Sequence, residues 1–245
     1  KTKAILVVHF LGFPVDMDPI MEIAETYNLK VIEDNAQGIG AKFNGKVAGS
    51  IGDIGTLSFF PSKNLGAMGD AGMCLTNNDE LAARLIQLRV HGENPQYFHK
   101  WVGLNSRLDT IQASVLKVKL PYLESWSDAR RKNAQYYFSK LNDVSQIKTP
   151  FIHEKATSIY NQFTLLAEDR DELLKYLRNK NIGCAVYYPK PLHIQECFSK
   201  LGYKKGDLPI AEEISQKVIS IPIYSEITKE QQDYVIENIK EFYSN

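Results

Sequence analysis

The sequence predicts an α/β protein in which a large first domain, built on a mostly parallel sheet, is followed by a smaller α+β domain. Apolar runs of strand length alternate with segments of helical periodicity through the first half of the chain. A long helical pattern then begins near Asp109, and shorter strands and helices follow it. We therefore expect part of a large domain over residues 1–121, and a connecting helix with the small C-terminal domain over residues 122–245.

In the first domain, strands are predicted where short apolar runs lie between turn-forming residues. These runs cover residues 4–8, 29–32, 56–60 and 72–76, and a glycine-rich turn region covers residues 38–55. Pro61 should halt the third strand, because proline cannot donate to a β-ladder. Two helices are predicted between the strands: one capped by Asp18 with Pro19 at its first position, and one from Asp79 towards Val90.

The second half opens with the long helical pattern, which runs to about Leu141 and which Pro121 should kink or restart. A helix of this length suits a connection between two domains. Strands are predicted over residues 162–167 and 184–188, with a helix over 171–181 between them. The last helix should begin at the capping-box sequence 228–231, Thr-Lys-Glu-Gln.

The composition argues against several classes of protein. Lys plus Arg and Asp plus Glu both total 29, so no net charge would attract nucleic acid or an anionic membrane. No apolar run approaches the roughly 20 residues of a membrane-spanning helix. The 3 cysteines are widely spaced, which argues against a disulfide framework or a metal site and fits the cytoplasm. Because the chain opens directly into a strand without an initiator methionine, we expect that an N-terminal portion is absent.

The segment that most strongly suggests chemistry is residues 58–72, where a predicted strand runs into a glycine-rich loop. Lys63 lies just beyond the strand, where parallel sheets usually bind ligands. A lysine among apolar neighbours can lose its proton and attack an aldehyde. The glycine spacing fits neither a P-loop nor a dinucleotide-binding fingerprint. From position alone, however, a solvated loop lysine explains Lys63 at least as well.

A second candidate is Asp34, at the carboxyl end of the predicted strand before it. A buried carboxylate that faces a pyridine nitrogen keeps that nitrogen protonated, which lets the ring accept electrons. Gln37, one turn further on, could hydrogen-bond a ring substituent. On the residues alone, an acid that caps the next helix explains Asp34 equally well.

The order and spacing of motifs resemble the DegT/DnrJ/EryC/StrS family of sugar aminotransferases, which are fold-type I pyridoxal-phosphate enzymes. The matching segments cover nearly the whole chain and include 8–12, 16–18, 31–37, 52–53, 58–66, 69–70, 89–92, 103–109, 112–113, 119–120, 130–134, 187–189 and 191–193. The resemblance implies an aminotransferase-like large domain and a smaller α+β domain. Leu11 is a departure, since many members have tyrosine there.

The resemblance also implies a pyridoxal 5'-phosphate site. Lys63 resembles the lysine that forms the Schiff base with the cofactor and then moves the proton. Asp34 resembles the partner of the pyridine nitrogen, Gln37 the residue beside the phenolic oxygen, and Ser58 the hydroxyl donor to the phosphate. Asn105 resembles the residue that reaches this phosphate from the neighbouring subunit, which implies a homodimer with shared active sites.

The implied reaction is transamination of a nucleotide-linked keto-sugar, with glutamate as the amino donor. His193, Tyr188 and Arg107 are the candidate substrate contacts. Each also has a structural explanation: a packed histidine, a core aromatic residue and an ion-paired arginine. Segments 89–92 and 187–193 look somewhat more like relatives that aminate at C3 than at C4. The N-terminal portion that family members carry, which helps to hold the cofactor, lies outside this sequence.

Two other functions stay open. Sugar dehydratases of the same fold carry histidine where the aminotransferases carry lysine, so Lys63 argues against a dehydratase. A non-catalytic or regulatory relative could bind cofactor or sugar without turnover. The joint presence of Lys63, Asp34, Gln37, Ser58 and Asn105 argues against that function.

Overall fold

The computed structural model describes residues 1–244, which contain ten β-strands and seven α-helices. The strands are β1 (Ala4–Val8), β2 (Lys30–Asp34), β3 (Lys42–Phe43), β4 (Lys46–Val47), β5 (Ile54–Ser58), β6 (Gly72–Leu75), β7 (Ile147–Lys148), β8 (Ala156–Thr157), β9 (Phe163–Ala167) and β10 (Val218–Ile221). The helices are α1 (Met17–Thr26), α2 (Asp79–Arg89), α3 (Thr110–Lys119), α4 (Leu123–Leu141), α5 (Arg170–Asn179), α6 (Pro209–Lys217) and α7 (Lys229–Ser244). No helix in this part of the chain combines the length and apolar character needed to cross a bilayer.

The described chain divides into two compact units. The first unit comprises Lys1–Asp128 and Ile152–Asn161, and the second comprises Ala129–Phe151 and the chain from Gln162 onward. The boundary therefore falls within α4. Residues 152–161, which the sequence analysis placed in the C-terminal domain, belong to the first unit because β8 pairs with β3 there.

A four-stranded sheet in the order β1-β2-β5-β6 forms the centre of the first unit. β1, β2 and β5 run parallel, and β6 runs antiparallel to β5. The predicted α/β fold class with a mostly parallel sheet is confirmed. In the register, Asp34 lies between Val8 of β1 and Thr56 of β5. The carboxyl ends of three strands therefore meet at one edge of the sheet.

The helices of the first unit largely follow the prediction, with shifts at their ends. α1 begins before the predicted cap, because the carboxylate of Asp16, and not that of Asp18, accepts a hydrogen bond from the first turn. Asn78 caps α2 by accepting from the amide of Leu81 at 2.9 Å. The predicted interruption at Pro121 is confirmed: a 3-10 turn over Leu120–Tyr122 separates α3 from α4.

The glycine-rich region predicted only as turns also contains the hairpin of β3 and β4. Its strands are two residues long, which is too short to give a period in the sequence. β8 extends this hairpin into a three-stranded sheet. The hairpin thereby fixes the chain that connects β2 to β5.

The second unit is built on the antiparallel sheet β10-β9-β7. Helices α5 and α7 pack against each other, and α5 packs on β9 and β10. The predicted capping box of α7 is confirmed. The amide of Thr228 donates to Oε1 of Gln231 at 2.9 Å, and the amide of Gln231 donates to Oγ1 of Thr228 at 3.2 Å.

The predicted strand over residues 184–188 is wrong. Only Ala185 pairs, through reciprocal backbone hydrogen bonds with Ser220 of β10, and the chain then leaves the sheet. Pro189 and Pro191 follow, and proline has no amide hydrogen to donate to a longer ladder. The chain continues instead into 3-10 turns over Leu192–Ile194 and Glu196–Leu201.

Candidate active site

The edge of the sheet where β1, β2 and β5 end carries four of the eight predicted site residues. Asp34 is the last residue of β2 and Ser58 is the last residue of β5. Lys63 lies in the loop that follows β5, and Gln37 in the turn that follows β2. In parallel sheets this edge is where ligands usually bind. The first unit thus brings Asp34, Gln37, Ser58 and Lys63 to one end of the sheet.

The loop that carries Lys63 turns back sharply on itself. The amide of Lys63 donates to the carbonyl of Phe60 at 2.9 Å, and the amide of Ala67 donates to that of Phe59 at 2.8 Å. At Gly66, a Cβ atom would lie 2.3 Å from the carbonyl oxygen of Pro61. Only glycine fits this approach, so the sequence Pro61–Gly66 holds Lys63 at the tip of a tight loop.

Asn64, which is not among the predicted site residues, anchors this loop. Its side chain is 8% exposed. The amide group donates to the carbonyl of Ile159 at 3.2 Å, and the side-chain oxygen accepts from Asn161 at 2.9 Å. Beyond the presence of an amide residue next to Lys63, the sequence gives no sign of its partners Ile159 and Asn161. The backbone at Lys63 is therefore held in place by the hydrogen bonds of the next residue, Asn64.

The amine of Lys63 is partly shielded from water. Burial lowers the pKa of the Lys63 amine below its ordinary value, and the nearby charge of Asp34 opposes that shift. Within residues 1–244, no hydrogen bond or ion pair holds this amine. A lysine with these properties has an increased unprotonated fraction, which is the form that attacks a carbonyl carbon.

The carboxylate of Glu33, the neighbour of Asp34, forms its hydrogen bonds entirely inside the protein. It is 0% exposed, and its two carboxylate oxygens accept four hydrogen bonds of 2.7 to 2.8 Å. The donors are the ring of His9 and the amides of Gly49, Ile51 and Gly52. Burial alone raises the pKa of Glu33, but the four donors outweigh it and hold the pKa below its ordinary value. Glu33 is thus a buried anion with no bonding site left for a ligand.

Asp34 has the opposite environment. Successive residues of a strand face opposite sides of a sheet, so Asp34 points away from the side that holds Glu33. It is partly exposed, and one carboxylate oxygen accepts from the amide of Ala36 at 3.0 Å. Its charge reaches Lys63. Of the two adjacent acids, Asp34 is therefore the one that a ligand at this edge could meet.

Gln37 and Ser58 each keep a donor for a ligand. The side-chain oxygen of Gln37 accepts from the amide of Leu11 at 2.7 Å, which leaves its NH₂ group as the outward donor. The hydroxyl oxygen of Ser58 accepts from the amide of Phe60 at 3.3 Å, which leaves the hydroxyl hydrogen. Both residues are partly exposed.

These four side chains fit pyridoxal phosphate by their chemistry. Lys63 offers an amine for the aldehyde, and Asp34 an acceptor for a protonated ring nitrogen. Gln37 could donate to the phenolic oxygen, and Ser58 to the phosphate. The four roles stay predictions.

Asn105 and Arg107, in the loop before α3, are both exposed. The backbone of Asn105 pairs with Val90 in an isolated bridge. In the described part of the chain, neither side chain hydrogen-bonds or ion-pairs with Asp34, Gln37, Ser58 or Lys63, and Arg107 forms no ion pair. The structure of one chain therefore does not bring these two residues to Lys63.

His193 and Tyr188 lie in the second unit. His193 is 7% exposed, and its Nε2 lies 2.9 Å from Oε1 of Glu212. The hydrogen bond from His193, together with one from the amide of Gly206, lowers the pKa of Glu212. His193 also borders a surface cavity of about 390 Å³. Tyr188 is 52% exposed, and its ring packs edge-on against Tyr187. Substrate contact stays a prediction for both residues.

A larger cavity of about 940 Å³ lies elsewhere in the first unit. It is mainly apolar, and its walls come from β5, β6, α2 and residues 102–108. None of the eight predicted site residues lines it. A choice of site by cavity volume alone would therefore have missed Lys63.

Comparison with known proteins identifies a family. Residues 1–240 match the model of the DegT/DnrJ/EryC1/StrS aminotransferase family. In structure, the chain is similar to S. venezuelae DesV in complex with a ketimine intermediate, with a TM-score of 0.96 and 36% identity. That similarity covers 100% of this chain and 66% of DesV.

Two curated relatives show the range of names in the family. A pleiotropic regulatory protein of Geobacillus stearothermophilus is 48% identical over 99% of this chain and 66% of its own length. A UDP-N-acetyl-3-dehydro-alpha-D-glucosamine 3-aminotransferase of Acidithiobacillus ferrooxidans is 42% identical over 94% of this chain and 62% of its own length. The chain thus spans slightly less than two thirds of these relatives.

Proposed function

Since this chain belongs to the DegT/DnrJ/EryC1/StrS aminotransferase family, we propose that it carries the reactive lysine of a pyridoxal-phosphate-dependent aminotransferase that acts on a nucleotide-linked keto-sugar. The observation that carries this proposal is the environment of Lys63. Its amine has a lowered pKa, is not tied up by another group among the described residues, and lies within reach of the charge of Asp34.

When bound, pyridoxal phosphate supplies an electron-accepting ring that allows a proton to leave the α-carbon of an amino acid. Asp34 accepts a hydrogen bond from the ring nitrogen and keeps it protonated. Gln37 and Ser58 orient the ring through its phenolic oxygen and its phosphate. These three side chains bind and orient, and none of them needs to exchange a proton during the reaction.

Lys63 moves the proton. Its Nζ takes the proton from the α-carbon of the amino donor, for which we propose glutamate, and in the second half-reaction gives a proton to the sugar carbon that receives the amine. A base works best when its pKa lies near the working pH. Burial lowers the pKa of the Lys63 amine in that direction, whereas the charge of Asp34 limits the shift.

For the acceptor we propose a keto-sugar attached to a nucleoside diphosphate. The name of the Acidithiobacillus relative supports this class, and also supports amination at C3 rather than C4. His193, Tyr188 and Arg107 are the proposed substrate contacts. Asn105 is proposed to reach the cofactor phosphate of a second subunit in a homodimer.

The test is a direct assay of the full-length protein. It is incubated with pyridoxal phosphate, ¹⁵N-glutamate and a panel of 3-keto and 4-keto sugar nucleotides, and the products are analysed by mass spectrometry. We expect one keto-sugar to gain the labelled nitrogen, and Lys63→Ala to abolish the gain. Absence of any labelled amino-sugar would contradict the proposed reaction.

A non-catalytic relative is the second candidate, and the name of the Geobacillus relative favours it. Such a protein could bind the cofactor or the sugar nucleotide without transferring nitrogen. The same assay separates the two functions, because a regulator would bind the cofactor at Lys63 and leave every keto-sugar unlabelled.

A further inference from the structure

His9 and Glu33 form a fully buried pair behind the candidate site. Both side chains are 0% exposed, and Nε2 of His9 lies 2.8 Å from Oε2 of Glu33. His9 directly follows β1, and Glu33 precedes Asp34 in β2. Burying a carboxylate is costly unless its oxygens are fully hydrogen-bonded, and the four donors to Glu33 meet that condition.

The direction of each hydrogen bond to His9 can be assigned. The amide of Val15 lies 3.1 Å from Nδ1, and an amide can only donate, so Nδ1 is the acceptor. The proton is therefore on Nε2, which donates to Glu33. His9 thus links the end of β1, the loop before α1 and the carboxylate of Glu33.

Glu33 in turn holds the turn that connects β4 to β5. The amides of Gly49, Ile51 and Gly52 each donate to it at 2.7 Å. This turn lies directly on the sheet: a Cβ atom at Gly55 would lie 1.9 Å from the carbonyl oxygen of Gly49. The carboxylate therefore fastens a connecting turn to the strand that ends in Asp34.

Two contacts lead from this pair to the ligand-facing side chains. The amide of His9 donates to the carbonyl of Asp34 at 3.0 Å. Leu11, in the loop that His9 holds through Val15, donates its amide to Gln37 at 2.7 Å. A change in the orientation of His9 would thus shift the positions of both Asp34 and Gln37.

We propose that His9 and Glu33 are positioning residues, whose buried hydrogen-bonded pair sets where Asp34 and Gln37 lie at the sheet edge. The proposal rests on the proposed function in one respect, namely that Asp34 and Gln37 face the cofactor. Neither His9 nor Glu33 touches the ligand.

The Glu33→Gln variant disrupts the hydrogen bonds at this position whichever way the amide turns: those to His9 in one orientation and those to the connecting turn in the other. If its NH₂ group faces His9, the ring must move its proton to Nδ1, which then opposes the amide of Val15. If its NH₂ group faces the connecting turn, it opposes backbone amides that were donors. In both cases a buried donor faces a donor.

Two variants of His9 separate its two hydrogen bonds. Asparagine can keep the acceptor near Nδ1 but loses the donor to Glu33, whereas glutamine can keep the donor near Nε2. Asp53→Asn is the matched control, because Asp53 accepts from the amide of Val31 at the opposite end of β2. If Glu33→Gln does not fold, the comparison of His9→Asn with His9→Gln still shows whether the hydrogen bond to Glu33 positions Asp34 and Gln37.

The first readout is hydrogen exchange without cofactor. The reporters are the amides of Leu11, bonded to Gln37, and Ala36, bonded to Asp34. We expect Glu33→Gln and His9→Asn to speed exchange at both amides by about tenfold, as for a lost charge-assisted hydrogen bond, and Asp53→Asn to leave them unchanged. Wild-type protection at Leu11 and Ala36 in Glu33→Gln and His9→Asn would overturn the proposal. This measurement is independent of whether the protein uses pyridoxal phosphate.

The second readout is the dissociation constant of pyridoxal phosphate in a double-mutant cycle. Glu33→Gln should weaken binding by about tenfold in the wild-type background and by a clearly smaller factor in the Asp34→Asn background, where only the effect through Gln37 remains. Equal losses in both backgrounds would mean general destabilisation and would refute a positioning role. A wild-type protein that binds no cofactor would refute the proposed function, while the exchange experiment would still decide the role of the pair.

Discussion

At the scale of single residues, the two adjacent acids of β2 have different tasks. Glu33 is enclosed, and four donors hold its charge inside the protein. Asp34 faces the other side of the sheet, and its charge raises the pKa of Lys63 against the lowering effect of burial. The side of the strand on which each acid lies therefore decides which of them can act on a ligand.

The reactivity of Lys63 should depend on Asp34 in a defined direction. Because the carboxylate stabilises the ammonium form, Asp34→Asn should lower the pKa of Lys63 further. A larger share of the amine is then unprotonated at a given pH, so acylation of Lys63 should occur at lower pH. Peptide mass spectrometry of the cofactor-free protein, labelled with an acylating reagent at several pH values, measures this.

Asp53→Asn is the control for this experiment, since Asp53 pairs with Lys30 at the other end of β2. Its labelling curve at Lys63 should overlie that of the wild type. A curve for Asp34→Asn that stays in place or moves to higher pH would show that the charge of Asp34 does not act on Lys63.

Several residues of the candidate site could be identified from sequence, and others could not. Lys63 and Asp34 follow recognisable apolar strands, so their positions at the sheet edge were predictable. The structural roles of Asn64 and His9 were not predicted, because they come from partners far along the chain, such as Ile159 for Asn64 and Glu33 for His9. Hydrogen bonds between distant segments have no local pattern that a single sequence displays.

At the scale of elements, the tight loop over Pro61–Gly66 is the feature on which the site depends. Gly66→Ala would place a Cβ atom 2.3 Å from the carbonyl oxygen of Pro61. The loop must open to admit it, at a cost of about 1–3 kcal/mol in the free energy of unfolding, and Lys63 must move. We expect at least about tenfold weaker binding of pyridoxal phosphate, measured by titration of the absorbance of the bound cofactor.

Gly183→Ala is the matched glycine control, because a Cβ atom there meets nothing within 4 Å. It should change the free energy of unfolding by no more than about 0.5 kcal/mol and leave cofactor affinity unchanged. If Gly66→Ala behaved like Gly183→Ala, the loop would not be the rigid support described above.

The capping box of α7 makes a separate prediction for the second unit. Oγ1 of Thr228 accepts from the amide of Gln231, and alanine would leave that amide without its partner. Thr228→Ala should therefore lower the free energy of unfolding by about 1 kcal/mol, while Thr228→Ser should keep most of it. Urea unfolding of the two variants provides the comparison, and equal stabilities would contradict a contribution from the cap.

Elements differed in how well the sequence predicted them. The capping box of α7 and the break at Pro121 depend on local chemistry, and both were predicted. The pairing of β3 with β8 joins Lys42 to Thr157, a tertiary contact between two-residue strands, and was missed. The predicted strand at 184–188 was wrong because apolar composition suggested pairing, whereas only Ala185 finds a partner.

At the scale of the whole molecule, the shared-site hypothesis for Asn105 can be tested by complementation. Lys63→Ala and Asn105→Ala chains are co-expressed, and the mixed dimers are assayed. If Asn105 acts on the site of its partner, each mixed dimer has one intact site, and random pairing restores about a quarter of wild-type sites. If Asn105 acts within its own chain, both sites of the mixed dimer are defective and the activity stays at the level of the single variants.

Borohydride reduction tests whether Lys63 binds pyridoxal phosphate covalently, as we propose. The full-length protein is incubated with pyridoxal phosphate, reduced, digested and analysed by peptide mass spectrometry. We expect a pyridoxyl-phosphate mass on Lys63, loss of the visible absorbance on reduction, and neither in Lys63→Ala. Absence of modification at Lys63, or equal modification across surface lysines, would contradict it.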